Sequence, residues 1–340
     1  MDGGAWHGMK APFQRRADVS GLMRMRRGLG RWLSGTLLAL LATAASADPM
    51  RSVEVAPGNQ VLIGSRNEAS RQNRGEVGNL GFIVGDEAVL VVNAGTSYAH
   101  GRQLLAQVAG EAPGRRMTML VLTQPVPEFV LGAAVFADLR VPVVAHEAAA
   151  RLLAQRCEQC LENLHALLGD EAMTGTRVVA PDRSISGDML IDLGRREVEL
   201  IVPGWNSAPG DLMVFDRRAR VLFSGTVVTE RRIPEVRDAR IEAWRETLAR
   251  IAALSPRIIV PGHGAPGDKR LLDALDGYLV ALERFVVGRL NGGASLQETI
   301  NAAETDVAFL PYRDWAGYPA IHRRNVHHRY LELEARSFRN

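Results

Sequence analysis

The sequence predicts an α/β protein built from layers of β-sheet and α-helix. Beyond residue 47, short runs of β-branched and aliphatic residues are separated by turn signals such as Pro57-Gly58 and Gly85-Asp86-Glu87, which is the pattern of β-strands. Between these runs lie segments in which apolar residues recur every three or four positions, as in Tyr98 to Val108, and this spacing predicts helices. Strands that alternate with helices favour a layered α/β sandwich.

The first half of the chain is predicted to be rich in strands that share an excess of Val, Ile and Leu. These predicted strands are Val53 to Val55, Gln60 to Ile63, Gly81 to Val84, Ala88 to Val92, Met117 to Leu122 and Val141 to Ala145. The predicted helices of this half have apolar residues at helical spacing and are Tyr98 to Val108, Gly132 to Ala137 and one that runs through Leu153.

The second half repeats this arrangement and then ends in helices. Its predicted strands are again short and apolar, and they are Val178 to Val179, Met189 to Leu193, Val198 to Val202, Asp211 to Asp216, Val221 to Ser224 and Ile258 to Val260. Its predicted helices have an apolar stripe and are Ile241 to Leu254, Leu271 to Leu290 and Asn325 to Arg336. We therefore expect one globular domain over residues 48–270 and a C-terminal helical extension over residues 271–340, packed on that domain.

Residues 1–47 have the three parts of a secretory signal peptide. A basic stretch from Arg24 to Arg31 precedes an apolar run from Leu37 to Leu41. The small residues Ala45-Ser46-Ala47 then offer a cleavage point before Asp48. An uncleaved membrane anchor is the alternative, but the apolar run is shorter than the roughly 20 residues that a spanning helix needs. We expect cleavage, a periplasmic or secreted protein, and no membrane span afterwards.

The charge of the chain is dominated by this leader. The whole sequence carries 41 Lys and Arg against 38 Asp and Glu, a formal net charge of +3. Seven of those basic residues and two of the acidic ones lie in residues 1–47, which leaves a net charge of about −2 on the remainder. A nucleic-acid partner is therefore not expected, because such proteins present a basic surface.

The segment from Leu122 to Gly132 has the form of a metal-binding loop. An apolar strand leads into Thr123, a short polar turn follows, and Leu131-Gly132 opens an Ala-rich helix. This frame resembles the strand–loop–helix signature of the metallo-β-lactamase superfamily, in which Thr-His-x-His-x-Asp-His-x-x-Gly supplies most of the ligands for one or two zinc ions. The resemblance implies a four-layer αββα sandwich over residues 48–270.

Four positions of this loop correspond to metal ligands in the family, and none keeps the family's residue. They are Gln124, Val126, Glu128 and Phe129. Valine and phenylalanine have no lone pair to give a metal, and the amide of glutamine is a poor zinc ligand. Glu128 at least remains a carboxylate.

Further segments look like the family's remaining site residues. Ser207 takes the place of the histidine in a segment similar to His-Thr-Pro-Gly-Asp, and Thr226 takes the place of the bridging aspartate in Phe-Ser-Gly-Asp. His263 lies in Pro-Gly-His-Gly, which matches in full, and is the one ligand residue that is kept. Asn93 replaces an aspartate that orients a ligating histidine from the second shell of the site, so that negative charge is absent.

These replacements predict a degenerate metal site, because a divalent cation needs three or four converging donors. We therefore expect no cofactor. If this interpretation is wrong, zinc is the expected metal, and His263 and Glu128 are its weak candidate ligands. The predicted function is that of a catalytically inactive periplasmic relative, which binds a small organic ligand or a partner loop. Its cavity would be lined by Gln124, Val126 and Phe129.

Two catalytic alternatives stay open. The chain would be a hydrolase of an ester, thioester or lactam if His263, Glu128 and a further donor recruited a metal. Without metal, hydrolysis would need Glu128 as general base and Ser207 or Thr226 as nucleophile.

Cys157 and Cys160 form a Cys-x-x-Cys pattern with three open interpretations. In an exported protein the pair is typical of a local disulfide, here at the start of a helix. It would otherwise be a thiol-redox pair, since Arg156 and a helix N-terminus lower the pKa of a thiol. Free structural thiols are the third interpretation.

The tail from Trp315 to Glu334, together with the leader and the Cys-x-x-Cys pattern, resembles a narrower group. These are exported superfamily members found with sulfur-oxidation and quinoprotein-dehydrogenase systems, called SoxH-like or quinoprotein relay system metallohydrolases. The resemblance implies a periplasmic dehydrogenase or sulfur-oxidation component as a partner. Those relatives generally keep their zinc ligands, which this chain lacks, so the resemblance does not imply their hydrolase activity for this chain.

Overall fold

The computed structural model of the protein describes residues 52–318 and 320–338. In these residues the chain forms two β-sheets that pack face to face, with helices on both outer faces. The four-layer α/β sandwich expected from the sequence is therefore confirmed. The predicted signal peptide, residues 1–47, lies outside the described residues and stays a prediction.

The first sheet has the strand order β1-β2-β3-β4-β5-β6-β7. Strands β1 to β4 pair antiparallel, whereas β4 to β7 pair parallel through helical crossovers. Its strands are β1 (Val53–Ala56), β2 (Asn59–Leu62), β3 (Leu80–Val84), β4 (Ala88–Val92), β5 (Arg116–Leu122), β6 (Val143–His146) and β7 (Arg183–Ile185).

The second sheet has the order β12-β11-β10-β9-β8. It is antiparallel from β8 to β11, and β12 then adds in parallel to β11. Its strands are β8 (Met189–Asp192), β9 (Glu197–Ile201), β10 (Met213–Asp216), β11 (Val221–Phe223) and β12 (Ile258–Val260).

Helices cover the outer faces of both sheets. Those of the first half are α1 (Tyr98–Glu111), α2 (Pro127–Val130), α3 (Ala133–Asp138), α4 (Glu147–Leu168) and α5 (Asp170–Met173). Those of the second half are α6 (Ile241–Leu254), α7 (Arg270–Asn291), α8 (Leu296–Ala303) and α9 (Ala320–Ser337). Among the described residues, no helix is long and apolar enough to cross a membrane.

The apolar composition of the strands explains the layers. Successive side chains of a strand point to opposite faces of the sheet. In β4, Val89 and Val91 accordingly pack against the helices of the first half, whereas Leu90 and Val92 pack against the second sheet. Because β4 is apolar at every position, it is buried on both faces, which is typical of a central strand in such a sandwich.

The C-terminal helices complete the core on the outer face of the second sheet. Leu279 of α7 and Val326 of α9 are fully buried in one cluster with Leu222 of β11 and Trp244 of α6. The boundary at residue 270 is a prediction that this packing does not test.

Some predicted elements differ from the structure. Val178 to Val179 is not a strand, and the edge strand β7 lies a few residues later, at Arg183–Ile185. The short helix α8 was not predicted, and α9 begins at Ala320, five residues before the predicted start. β7 is polar in two of its three residues, so the apolar pattern that identifies strands is absent from it.

Candidate functional site

The candidate site lies where strands of the two sheets end at the same edge of the sandwich. Gln124 follows β5, Thr226 follows β11 and His263 follows β12. A backbone hydrogen bond from the N–H of Leu212 to the carbonyl of Thr123 joins the two sheets here, at 3.0 Å. Loops after strand ends are where α/β folds place functional side chains, since a rigid scaffold positions them.

A cavity of about 430 Å³ opens at this edge. It brings together six of the residues predicted from the sequence, namely Gln124, Val126, Glu128, Ser207, Thr226 and His263. Phe129 does not line it: the side chain is fully buried and stacks on the ring of His263, with 5.7 Å between ring centroids. The expectation that Phe129 lines the cavity is therefore wrong, because the helical turn of α2 directs it into the core.

Glycines allow this close packing. A Cβ on Gly78 would lie 2.5 Å from the ring of Phe129, and a Cβ on Gly262 would lie 2.9 Å from the backbone nitrogen of Thr226. Both approaches are closer than a side chain permits. The loop that carries His263 can therefore lie directly against the loop that carries Thr226.

Four polar side chains are hydrogen-bonded to one another at the end of the cavity that holds the positions of the expected metal ligands. The hydroxyl of Thr226 donates to the amide oxygen of Gln124. The amide nitrogen of Gln124 donates to the Asp211 carboxylate at 3.0 Å and to the Ser207 hydroxyl at 3.2 Å. The Ser207 hydroxyl in turn lies 3.0 Å from both Asp211 oxygens and 3.2 Å from the Thr226 hydroxyl. We call these four residues the polar cluster.

Asp211 is the acceptor on which the polar cluster converges. It is almost fully buried and also accepts a hydrogen bond from the backbone N–H of Ala208 at 3.1 Å. Burial raises the pKa of its carboxyl to about 7, although the hydrogen bonds from Ala208 and Ser207 favour the ionised form. A buried carboxyl with a pKa near neutrality is a group that can take up or release a proton under ordinary conditions.

Glu128 and His263 form a second pair on the cavity wall. The Nε2 atom of His263 lies 3.1 Å from Oε1 of Glu128. Burial raises the pKa of Glu128, but the hydrogen bond and the charge of His263 outweigh it and leave that pKa lowered. No hydrogen bond links Glu128 to Ser207 or Thr226 within residues 52–318, so the metal-free arrangement considered from the sequence is not formed.

Asparagines support the loops behind the cavity. Asn93 has a φ of +60°, a conformation that asparagine tolerates better than most residues, and its side-chain oxygen accepts the N–H and the hydroxyl of Thr123. Asn79 donates to the carbonyls of Pro261 and Gly264 at 2.8 and 2.7 Å, on either side of His263. Asn93 thus fixes the start of the loop after β5, and it does not line the cavity.

The residues of this site do not fit a zinc ion. In the part of the chain that the structure describes, no group of three or more His, Cys, Asp or Glu side chains is placed to hold a metal. Glu128 and His263 are bonded to each other, and the side chains of Gln124 and Asp211 are already engaged in the polar cluster. Zinc sites need three or four converging donors, and these residues supply at most a pair.

The far wall of the cavity comes from residues that the sequence did not single out. Arg324 of α9 lines it and pairs with Glu235 at 2.6 Å. The neighbouring Asn325 is fully buried, accepts the N–H of Val236 at 3.1 Å and donates to the carbonyl of Pro234 at 2.7 Å. The C-terminal helix α9 therefore builds part of the cavity wall.

The wall formed by these loops is charged. Arginines that line the cavity share it with acidic residues, and together they are Arg232, Arg237, Arg324, Glu235 and Asp238. Four of them lie within residues 232–238, and only Arg324 comes from a distant segment, α9, whose packing against that loop no local pattern in the sequence predicts.

The cysteines do not belong to this cavity, and they differ from two expectations. Both are free thiols, so the predicted disulfide is not formed. They also lie in the middle of α4, which begins at Glu147, and the field of a helix terminus does not reach beyond the first turn. The hydrogen bond between them, followed by burial, raises the pKa of Cys157, and the same bond lowers that of Cys160.

Comparison with known proteins agrees with this fold. A model of the family described as "Metallo-beta-lactamase superfamily" matches residues 73–263. A metallo-beta-lactamase from Pontibacter korlensis is similar in structure, with a TM-score of 0.55 and 18% identity, over 68% of this chain and 98% of that one. DIM-1 metallo-beta-lactamase gives a TM-score of 0.54 at 17% identity, and TMB-1 gives 0.53 at 16%, each over 68% of this chain and 96% of its own.

Proposed function

This chain belongs to the metallo-β-lactamase superfamily, and we propose that it is a member in which ligand binding has replaced metal-dependent hydrolysis. The observation that carries the proposal is the polar cluster. Where the resemblance places metal ligands, Gln124, Ser207 and Thr226 are hydrogen-bonded to one another, and Gln124 and Ser207 also donate to Asp211. These three neutral side chains satisfy each other's hydrogen bonds and offer no charged donor to a cation.

The cavity supports a small polar ligand with groups of both charges. Its inner end offers the hydroxyl of Thr226, which is only partly buried, and the Glu128–His263 pair. Its outer wall offers Arg324 and Glu235, whose mutual ion pair is about half exposed. An exposed ion pair contributes little stability by itself, so both groups can exchange their partner for a ligand at small cost.

Metal analysis of the purified protein tests the first half of this proposal. We expect well under one equivalent of zinc, iron or manganese per chain, before and after incubation with zinc, and no hydrolysis of nitrocefin. A variant that restores the family's ligands is the positive control: Gln124→His, Val126→His, Glu128→Asp, Phe129→His, Ser207→His and Thr226→Asp. One tightly held equivalent in the unaltered protein contradicts the proposal.

Native mass spectrometry tests the second half. We expect protein purified without denaturation to carry a bound small molecule, which Val126→Trp removes by filling the cavity. Val307→Trp is the matched control, because Val307 is 75% exposed and does not line the cavity. A bound molecule that survives Val126→Trp, or none in the unaltered protein, counts against ligand binding at this site.

A second candidate is metal-independent ester hydrolysis, and the Ser207–Asp211 contact is the observation that favours it. The hydroxyl oxygen of Ser207 would attack the ester carbonyl while its proton passes to Asp211, whose pKa of about 7 suits a general base. The alcohol would leave with that proton, and water would release the acid from the acylated serine. Turnover of p-nitrophenyl acetate that resists chelators and is lost in Ser207→Ala would establish it; turnover unchanged in Ser207→Ala would exclude it.

We extend the proposal to location and partners. The leader pattern of residues 1–47 and the tail from Trp315 to Glu334 support an exported, SoxH-like protein that works with a quinoprotein dehydrogenase or a sulfur-oxidation system. Fractionation of cells and cross-linking in the periplasm test this. A protein that stays in the cytoplasm at full length contradicts export. The thiol-redox alternative would be supported if Cys157 and Cys160 cycled between free thiols and a disulfide.

A further inference from the structure

A second cavity, of about 600 Å³, lies at the opposite edge of the sandwich. It is lined by the turn between β1 and β2, by Arg218 and Ala219 in the turn before β11, and by Arg257 and Ile258 at the start of β12. The candidate site follows the ends of β11 and β12, so this cavity is separated from it by the length of the strands.

The walls of this second cavity are apolar. Val55, Ala56, Ala219 and Ile258 are half-buried, and all four pack on the cluster of side chains that fills the space between the two sheets. The cavity is therefore an open mouth of the inter-sheet core. Apolar surface left in such a concave position favours an apolar ligand group.

Three arginines line this second cavity. Arg196 is buried and fully bonded: it donates to Asp216 and to the carbonyls of Val84 and Pro57. Arg218 and Arg257, by contrast, are exposed, and their guanidinium groups have no ion pair or side-chain hydrogen bond to any residue in the described parts of the chain.

The charges leave an excess of one positive charge at the cavity. Asp216, which is fully buried, offsets Arg196 at close contact. Glu54 accepts the N–H of Gly58, a lining residue, at 2.7 Å; it forms no ion pair with Arg218 or Arg257, and its single charge can balance only one of them. A monoanion would restore neutrality, and a carboxylate is the anion whose two oxygens match the paired N–H groups of a guanidinium.

We propose that this mouth is a binding site for an organic monoanion with an apolar body, a medium-chain carboxylate being the simplest form. The carboxylate contacts Arg218 and Arg257, and the apolar chain lies against Val55, Ala219 and Ile258. The site is independent of the proposed function, because it shares no lining residue with the first cavity.

Calorimetric titration with decanoate tests this proposal. We expect saturable binding of one equivalent that weakens several-fold when salt rises from about 0.05 to about 0.3 M, since exposed charges are screened. The double variant Arg218→Ala with Arg257→Ala should lose at least tenfold in affinity. Arg183→Ala is the matched control, because Arg183 is also exposed but lies on β7, at the far edge of the first sheet. This variant should bind decanoate as the unaltered protein does.

Two further measurements separate the site from unspecific effects. Ala219→Asp adds a negative charge to the wall without removing an arginine, so it should abolish binding even if the double variant folds poorly. Val126→Trp, in the first cavity, should leave decanoate binding unchanged. Equal binding of the neutral decanamide, or undiminished binding of decanoate to Ala219→Asp, would overturn the proposal.

Discussion

The Nε2 atom of His263 and the Oε1 atom of Glu128 lie 3.1 Å apart across the candidate site. In the metallo-β-lactamase superfamily, which the sequence resembles, the positions of both residues are occupied by metal ligands. Here the two side chains are hydrogen-bonded to each other. The His263 side chain is 8% exposed and that of Glu128 is 20% exposed, so the pair is largely shielded from water. The first prediction follows from this contact.

Glu128→Gln should flatten the dependence of stability on acid pH. The pKa of Glu128 is lowered in the folded protein, so its contribution is present above the unfolded value of about 4.5 and is lost as pH falls through the lower folded value. We expect the variant to lose about 1 kcal/mol at neutral pH, and this difference should shrink as the pH falls below about 4.5. Urea unfolding at several pH values measures this. A constant difference at every pH would contradict it.

Asp211→Asn should remove a pH dependence of the opposite sign. The pKa of Asp211 is raised from 3.8 to about 7 by burial, so folding favours its protonated form. Its contribution is complete below about pH 4 and is lost as pH rises to about 7, with a slope of at most about 1.4 kcal/mol per pH unit. Chemical unfolding of both proteins from pH 4 to 8 gives the two slopes. Asp182→Asn is the control and should keep the parent's slope, because Asp182 lies outside the polar cluster, where its carboxylate accepts the N–H of Val143.

Thr226→Val should destabilise the polar cluster while preserving shape. The hydroxyl of Thr226 donates to Gln124, and its loss leaves the amide oxygen of Gln124 without that partner in a buried position. We expect a loss of about 1 kcal/mol in the free energy of unfolding. Thr226→Ser keeps the hydroxyl and should retain most of that stability. Equal stability of the valine and serine variants would show that the hydrogen bond contributes nothing.

Arg329→Ala should loosen the C-terminal helices. The Arg329 side chain is fully buried and pairs with Glu242, Glu283 and Glu332, which ties α9 to α6 and α7. Removal of one member of such a network leaves uncompensated charge, so we expect a loss of about 3 kcal/mol or more and faster proteolysis after α8. Arg323→Ala breaks an exposed pair with Glu304 and should cost well under about 1 kcal/mol.

Short segments of the sequence located side chains that the fold brings together. Gln124, Ser207, Thr226 and His263 were located from short segments beside apolar strands, and the structure places all four around one cavity. This worked because strand ends and glycine-rich turns leave local patterns in a sequence. Asp211 belongs to one of those segments, yet its role was missed, because its importance comes from burial among its partners.

The outer half of the site could not have been predicted in this way. Arg324 and Glu235 are 89 positions apart, and only the packing of α9 brings them together. The position of Cys157 was also misjudged, since the uninterrupted helical pattern of α4 begins ten residues earlier, at Glu147. Long-range contacts and helix lengths depend on the whole core, which a local pattern does not contain.

The mutual bonding of Gln124, Ser207, Thr226 and Asp211 also bears on how this lineage can change. A single reversion, such as Ser207→His, would not create a metal site, and it would strip Gln124 and Asp211 of a partner. A first replacement within the polar cluster is therefore expected to lower stability before any catalytic benefit exists. If the proposed function is right, the contacts that replace the metal ligands would therefore also make the return of a metal site harder.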